Sequence, residues 1–286
     1  MLPVVRPRQT TLTESTIRRR PFGCLGDLVP VIGQGTWQMG APPDRGREVE
    51  TLRAGIARGM THIDTAEAYG SEEMIAEAIR DVKRDRLFLV SKVHPQNATR
   101  AGTIAACEAS LRRLGVDYLD AYLLHWRGQI PVGETLAGLQ ALVTQGKIRA
   151  LGVSNFSVDD LDQAAQLLGD TPIACNQVIY HLLARRVDEG MLAACARRGI
   201  ALVGFSPYGQ GQFPDAGSDQ GRALATIAAR HDATVRQVVL AFLTREAPLF
   251  TIPKASSPDH VEDNAGALTL ELDADDLAEI DAVFPS

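Results

Sequence analysis

The stretch HIDTAEAYG, residues 62–70, sets a carboxylate, Asp64, at the end of a short apolar run and a phenol, Tyr69, five residues later. Two further apolar runs end on residues able to do chemistry. Lys92 follows Leu87–Val90, and His125 follows Tyr122, Leu123 and Leu124. A carboxylate and a lysine form a partly buried pair in which each offsets the desolvation of the other. A lysine cation close to a phenol favours phenolate, so the tyrosine pKa is expected to fall from its reference of about 10. A phenol tuned this way is a proton donor near neutral pH. A histidine beside it can hydrogen-bond a carbonyl oxygen and hold it in register. Together the four side chains suit protonation of an alkoxide as it forms. They include no nucleophile and no metal ligands at close spacing. A proton donor without a nucleophile needs an electron pair from elsewhere, and a hydride-carrying cofactor supplies one.

Each residue alone has a plainer reading. Asp64 could cap a following helix, Lys92 could be solvated at a rim, and Tyr69 could pack a loop. A lone histidine such as His125 could be a hydrogen-bonded structural group, since buried imidazoles find partners. Only the joint pattern, with Asp, Lys and His closing three successive runs, points to chemistry.

Those residues meet only if the scaffold brings three run ends together. The chain has 286 residues, 45% of them hydrophobic, which is ample for a large core. Aromatics are only 5%, so aliphatic side chains and alanine must fill most of that core. The formal net charge of -6 speaks against nucleic acid as a partner. No apolar run approaches the ~20 residues of a membrane span, so no membrane partner is expected. The N-terminal region lacks the apolar core of a secretory signal. Its arginines (Arg6, Arg8, Arg18, Arg19, Arg20) hint at a transit peptide, against which stand Glu14 and the missing apolar face. Cys24, Cys107, Cys175 and Cys195 are scattered, with no CxxC pair and no histidine at metal-ligand spacing. That is the pattern of reduced thiols in a cytoplasmic protein, and no metal site is expected.

Short apolar runs alternate with helical stripes. Candidate strands are VPVIGQG (29–35), GMTHID (59–64), RLFLVSK (86–92), YLDAYLLH (118–125), IRALGVS (148–154), IACNQV (173–178), IALVGFS (200–206) and PLFTIPK (248–254). Between them fall Val49, Leu52 and Ile56; Ile104, Cys107, Leu111 and Leu114; Leu136, Leu139, Leu142 and Val143; and Val235, Val238, Val239 and Phe242, all at helical spacing. Most strand candidates are apolar on both faces, as strands of a covered parallel sheet are. Repeated βα units over this length predict an α/β fold, a closed (β/α)8 TIM barrel, typically ~250 residues. RRPFGCLGDLVP (19–30) predicts a hairpin closing the barrel floor, with extra helices near the C-terminus. An open doubly wound sheet would carry GxGxxG after its first strand, and here Gly33 and Gly35 are followed by Gln38. No linker divides the chain, so residues 1–286 are expected to form one domain, with 1–15 as a flexible extension.

Active sites of such barrels lie at the carboxyl ends of the strands. Besides Asp64, Lys92 and His125, those exits offer Ser154 and Asn155, then Asn176 and Gln177, then Ser206, and last Lys254. Ser257 followed by Pro258 is a good helix start. With Lys254 and Ser256 it would make a phosphate subsite at a helix N-terminus; the plainer reading is a capped helix beside a solvated lysine. The loop FSPYGQGQFPDAG (205–217), rich in glycine and hydroxyls, could line a pyrophosphate. Ser154, Asn155 and Gln177 could clasp a carboxamide, while Asn155 and Ser157 could equally cap a helix.

The motifs GQGTW (33–37), HIDTAEAYG (62–70), LVSKV (89–93), YLLHW (122–126), GKIRALGVSNF (146–156), NQVIYH (176–181), FSPYG (205–209) and IPKASSPDHVEDN (252–264) resemble those of the aldo-keto reductases. The resemblance runs from about residue 16 to about 284, and within the family the chain is similar to bacterial reductases of methylglyoxal and other small aldehydes. It implies a barrel that binds NADPH extended, without a Rossmann domain, and a catalytic tetrad of Asp64, Tyr69, Lys92 and His125. It also implies a cofactor wall that includes Gly35, Thr36, Trp37 and Asp64, with Ser154, Asn155 and Gln177 on the carboxamide. Phe205 would stack on the nicotinamide in place of the more usual tyrosine. Ser206 and Tyr208 would lie in the pyrophosphate loop, and Lys254, Ser256, His260, Asp263 and Asn264 would hold the 2′-phosphate and adenine. Trp37 and Trp126 would wall the substrate pocket.

Two residues depart from the family pattern. Ala255 stands where many members have serine, and His260 where many have arginine. An imidazole does not replace a bidentate guanidinium, so NADPH preference is expected to rest on Lys254 and the helix N-terminus, with NADH tolerated. After His260 only a short helix and Ala282-Val-Phe-Pro-Ser remain, which implies an open mouth and small aldehydes and ketones as substrates; nothing in the sequence demands a partner interface, so a monomer is expected. Turnover itself separates this reading from an NADPH-binding sensor on the same barrel. A phosphate-binding isomerase would leave Tyr69, Lys92 and His125 without a joint purpose.

Overall fold

Each of the eight apolar runs contributes a strand to one parallel barrel. The structure, a computed structural model, describes residues 16–286; the extension expected over residues 1–15 lies outside them. The chain enters through an antiparallel hairpin, β1 (Arg19–Pro21) with β2 (Leu28–Pro30). It then runs β3 (Gln34–Gly35), α1 (Arg45–Ala57), β4 (His62–Asp64), α2 (Glu72–Ile79), β5 (Phe88–Val93), α3 (Arg100–Leu114), β6 (Leu119–Leu124) and α4 (Val132–Thr144). There follow β7 (Ile148–Ser154), α5 (Val158–Leu168), β8 (Ile173–Ile179), α6 (Leu192–Arg198), β9 (Ala201–Phe205), α7 (Asp219–Arg230), α8 (Val235–Leu243), β10 (Leu249–Thr251), α9 (Pro258–Gly266) and α10 (Ala274–Val283). Strands β3 to β10 lie side by side in chain order.

The sheet closes where β10 meets β3. Ile32 bridges Thr251 and Gly35 bridges Lys254, both in parallel register. The Gly33 and Gly35 amides donate to Thr251 O at 2.8 Å and Pro253 O at 3.0 Å. Two glycines permit this seam. A Cβ at Gly35 would stand 2.6 Å from Ile252 O, and one at Gly33 would stand 2.7 Å from His62 O. The expected strand over 29–35 is therefore divided. Its first part, β2, pairs with the hairpin, and only Gln34–Gly35 enters the barrel.

Alternation along the strands sorts the core into two shells. Leu89, Tyr122, Leu124, Leu151, Val153 and Leu202 face outward and pack under the helices. Phe88, Val90, Ala121, Leu123, Ala150 and Val203 face inward, where Phe22 and Phe250 fill the floor. This parity carries the site. Continuing inward along the same strands, Phe88 and Val90 lead to Lys92, Leu123 to His125, and His62 to Asp64.

Within the basic stretch at residues 18–20, Arg18 and Arg20 bind the barrel floor. Arg18 donates to Thr244 O and Ala267 O at 3.2 and 3.0 Å, and Arg20 to Leu249 O at 2.6 Å. Among the described residues no helix is long and apolar enough to cross a membrane.

Candidate active site

Three strand ends and one loop assemble the centre. Lys92, on β5, is wholly buried, and its Nζ donates to Asp64 Oδ1 at 2.5 Å and to Thr65 O at 2.8 Å. Gln177 Nε2 donates to the other Asp64 oxygen at 2.7 Å. Asp64 thus has both oxygens satisfied inside the barrel, which a buried carboxylate requires. Tyr69 sits in the short 3-10 turn Glu67–Tyr69 that follows β4. The Lys92 ammonium lies 4.9 Å from the centre of its ring. The Tyr69 hydroxyl and His125 Nε2 are 3.3 Å apart. The four residues predicted to meet do meet.

Their electrostatics follow from burial and from the one ion pair. Burial by itself lowers the Lys92 pKa, but Asp64 and then Tyr69 outweigh it and carry the ammonium above its ordinary value. Burial pushes the Asp64 carboxyl up, against the pull of Lys92 and Gln177. For Tyr69 the expected lowering is overturned. Lys92 does pull the phenol down, but burial is the larger influence and Asp64 adds to it, so its pKa lies above the ordinary 10. His125 is lowered to about 3 by burial and then by Lys92 and His94, so its ring is neutral at physiological pH. The chemistry available is that of a phenol held protonated beside a neutral imidazole.

A second group surrounds this centre. Ser154 Oγ donates to Gln177 O at 2.9 Å, and Asn155 Nδ2 donates to His125 O at 3.1 Å. Asn155 and Ser206, at the exits of β7 and β9, both have left-handed backbone, φ +60° and +55°; for residues other than glycine such conformations gather at functional sites. The cap role weighed for Ser157 is realised, with Asp160, in a capping box on α5. Asn176 points outward to Phe156 O at 3.0 Å and takes no part. Thr36 is buried, donating to Asp64 O at 2.9 Å and touching Ser71 Oγ at 2.8 Å.

Around the rim, Trp37 and Trp126 are 45% and 39% exposed, so the mouth is open. Trp126 packs beside His125 with ring centres 4.6 Å apart. Phe205 is half-buried at the end of β9, and Gln210 Nε2 donates to Ser206 Oγ at 2.7 Å. Tyr208 donates to Asn264 Oδ1 at 2.6 Å, and Thr234 to Asp263 Oδ1 at 2.7 Å, joining the β9 loop and α8 to α9. Ser257 caps α9 with Pro258 in its first turn, while Lys254 and His260 are exposed beside it and Ser256 is half-buried. An exposed cation, hydroxyls and a capped helix start fit a phosphate-bearing ligand. Amides and hydroxyls next to Asp64 fit a carboxamide.

Sequence reasoning missed several neighbours. Glu67 accepts from the His94 amide and from Asn97, tying the Tyr69 turn to the exit of β5. His94 stacks edge-on against Trp126 at 4.9 Å. Ile179 and Leu183 stand exposed at and beyond the end of β8, 44% and 49%. Glu67 lies inside the HIDTAEAYG motif, the one signal that pointed to it; the others are set by loop geometry.

The sequence profile of the aldo/keto reductase family matches residues 31–284. Methylglyoxal reductase YeaE of Escherichia coli is 42% identical over 266 residues, 91% of this chain and 93% of that protein. Glyoxal reductase of Bacillus subtilis is 36% identical, covering 90% of each. A crystal structure of an aldo-keto reductase from Klebsiella pneumoniae in complex with NADPH superposes with a TM-score of 0.87 at 43% identity, covering 94% of this chain and 95% of that one. With barrel, strand-end residues and these likenesses in agreement, the chain belongs to the aldo/keto reductase family.

Proposed function

We propose that Tyr69 is the proton donor in NADPH-dependent reduction of small aldehydes and ketones to alcohols. The chain is an NADP-dependent oxidoreductase, and its relatives' names, methylglyoxal reductase and glyoxal reductase, support short α-oxoaldehydes as substrates. One observation carries the reading: the Tyr69 hydroxyl lies 3.3 Å from His125 Nε2, and its ring centre lies 4.9 Å from the ammonium of the buried Lys92–Asp64 pair. NADPH, when bound, supplies the hydride.

The substrate oxygen is held between the Tyr69 hydroxyl and His125, whose neutral ring donates when its proton is on Nε2. Negative charge growing on that oxygen is met by two preplaced donors. Tyr69 then gives its proton, and the Lys92 cation beside it stabilises the phenolate left behind. Asp64 keeps Lys92 charged and in place. Asn155 fixes the backbone carrying His125. Ser154, Asn155 and Gln177 would hold the carboxamide end of the cofactor, Phe205 would face its ring, and Gly35, Thr36 and Trp37 would form the adjoining wall. Ser206 and Tyr208 would bind its pyrophosphate, and Lys254, Ser256, His260, Asp263 and Asn264 would hold its adenosine end. Trp37 and Trp126 wall the substrate pocket. The chain acts as a one-domain monomer in the cytoplasm.

The test is steady-state NADPH oxidation with methylglyoxal and with a nitrobenzaldehyde. Saturable turnover with either is expected. NADPH binding without turnover on any carbonyl of such a panel would overturn the enzymatic reading in favour of a sensor.

A further inference from the structure

His260 leaves the residues assigned to the adenosine end without a guanidinium, and another element carries one, stacked on a side chain bonded to Asn264. Arg236, in the first turn of α8, is exposed, and among the described residues no carboxylate pairs with it. Its guanidinium carbon lies 4.7 Å from the centre of the Tyr208 ring and 5.2 Å from that of Phe213. The two rings, 5.7 Å apart at 72°, form a corner that holds it. Tyr208 is the residue whose hydroxyl binds Asn264. On the helix side, Thr234 binds the Asp263 carboxylate, and Gln237 Nε2 donates to Asp263 O at 3.1 Å. Arg236 therefore sits between two residues bonded to Asp263, and on a ring bonded to Asn264.

An exposed guanidinium normally roams, because its rotamer entropy is large. Here stacking holds its plane while its N–H groups stay unspent on any acid. Such a group is pre-organised for bidentate contact with a phosphate. We propose that Arg236 determines cofactor choice, its guanidinium binding the 2′-phosphate of NADPH in the role that His260 cannot fill. This rests on the reading of NADPH as the cofactor.

Equilibrium binding of NADPH and NADH to the full chain, followed by tryptophan fluorescence and checked by calorimetry, tests it. Arg236→Gln keeps a planar polar end group, on a shorter stem, and removes the charge. It should weaken NADPH about tenfold, as expected for a lost charge-assisted contact, and change NADH by less than about twofold. Arg236→Lys keeps the charge but not the planar fork, so its NADPH affinity should fall between those of the original protein and Arg236→Gln. An unchanged NADPH affinity in Arg236→Gln, or an equal loss for both nucleotides, overturns the proposal. A lysine variant as weak as the glutamine one would trace the effect to ring packing and overturn it too. If the unaltered protein binds no NADPH at all, the functional reading fails instead, so the two failures are distinct.

Discussion

Tyr69 keeps its proton because burial outweighs the pull of Lys92. The direction decides how the enzyme responds to pH. A donor whose pKa lies above 10 is protonated at every pH below that, so carbonyl reduction should stay nearly level from about pH 6 to 9 as far as this group is concerned. The reverse reaction needs the phenolate as base, a form gained only as pH rises toward and past the folded pKa. Alcohol oxidation should therefore climb steadily up to at least pH 10. His125, held near 3, adds no step within this range. In Tyr69→Phe, kcat for reduction should fall by about 10²-fold or more, the usual worth of a positioned acid, with NADPH affinity within about twofold. Rate profiles in both directions, with Tyr69→Phe alongside, check this. An alkaline loss of reduction centred near pH 8 in the original protein would contradict the raised phenol.

Strand ends position the site, and their geometry is partly stored as backbone strain. Asn155, at φ +60°, follows β7 directly and donates to the carbonyl of His125 at the end of β6. Asparagine tolerates this left-handed conformation, alanine pays about 1–2 kcal/mol for it, and glycine adopts it freely. Asn155→Ala should thus be less stable than Asn155→Gly by about 1 kcal/mol in urea denaturation, although both lose the same amide. Equal stabilities would mean that the turn relaxes and holds no strain. The same element level shows what the sequence makes readable. Runs such as IRALGVS, apolar on both faces, predict β7 to the residue, and parity along β5 and β6 brings Lys92 and His125 inward. Only the 29–35 run misleads, because barrel closure depends on Gly33 and Gly35 approaching β10 and β4, a contact distant in sequence. The cap on α9 is legible since Ser257-Pro258 is local. The Glu67 brace, the Thr36–Ser71 contact and Arg236 are not, since each exists only where separate loops converge. The sign of the Tyr69 shift is hidden for the same reason: a neighbouring charge can be guessed from residue types, while the depth of burial is a property of the whole fold.

The barrel as a whole buries a second imidazole that plays no part in the chemistry. His62 is fully buried on β4 among Phe22, Phe88 and Phe250, with ring centres 5.7, 5.4 and 6.5 Å away. Neither of its ring nitrogens has a hydrogen-bond partner among the described residues. Burial, and then the Lys92 charge, lowers its pKa to about 3, against about 6.5 in an unfolded chain. Between those values the unfolded chain binds a proton that the folded one refuses. Stability from this group is therefore whole above pH 6.5 and drains away as pH falls toward 3, by about 1.4 kcal/mol per unit. Integrated from pH 7 to 5, the loss is about 2 kcal/mol. His62→Phe keeps a ring among rings and cannot take up a proton. Whatever its absolute stability, its unfolding free energy should fall by about 2 kcal/mol less than that of the original protein between pH 7 and 5. Urea denaturation of both proteins at the two pH values measures the difference, and parallel losses would mean that the floor opens to protonate His62 without unfolding the barrel.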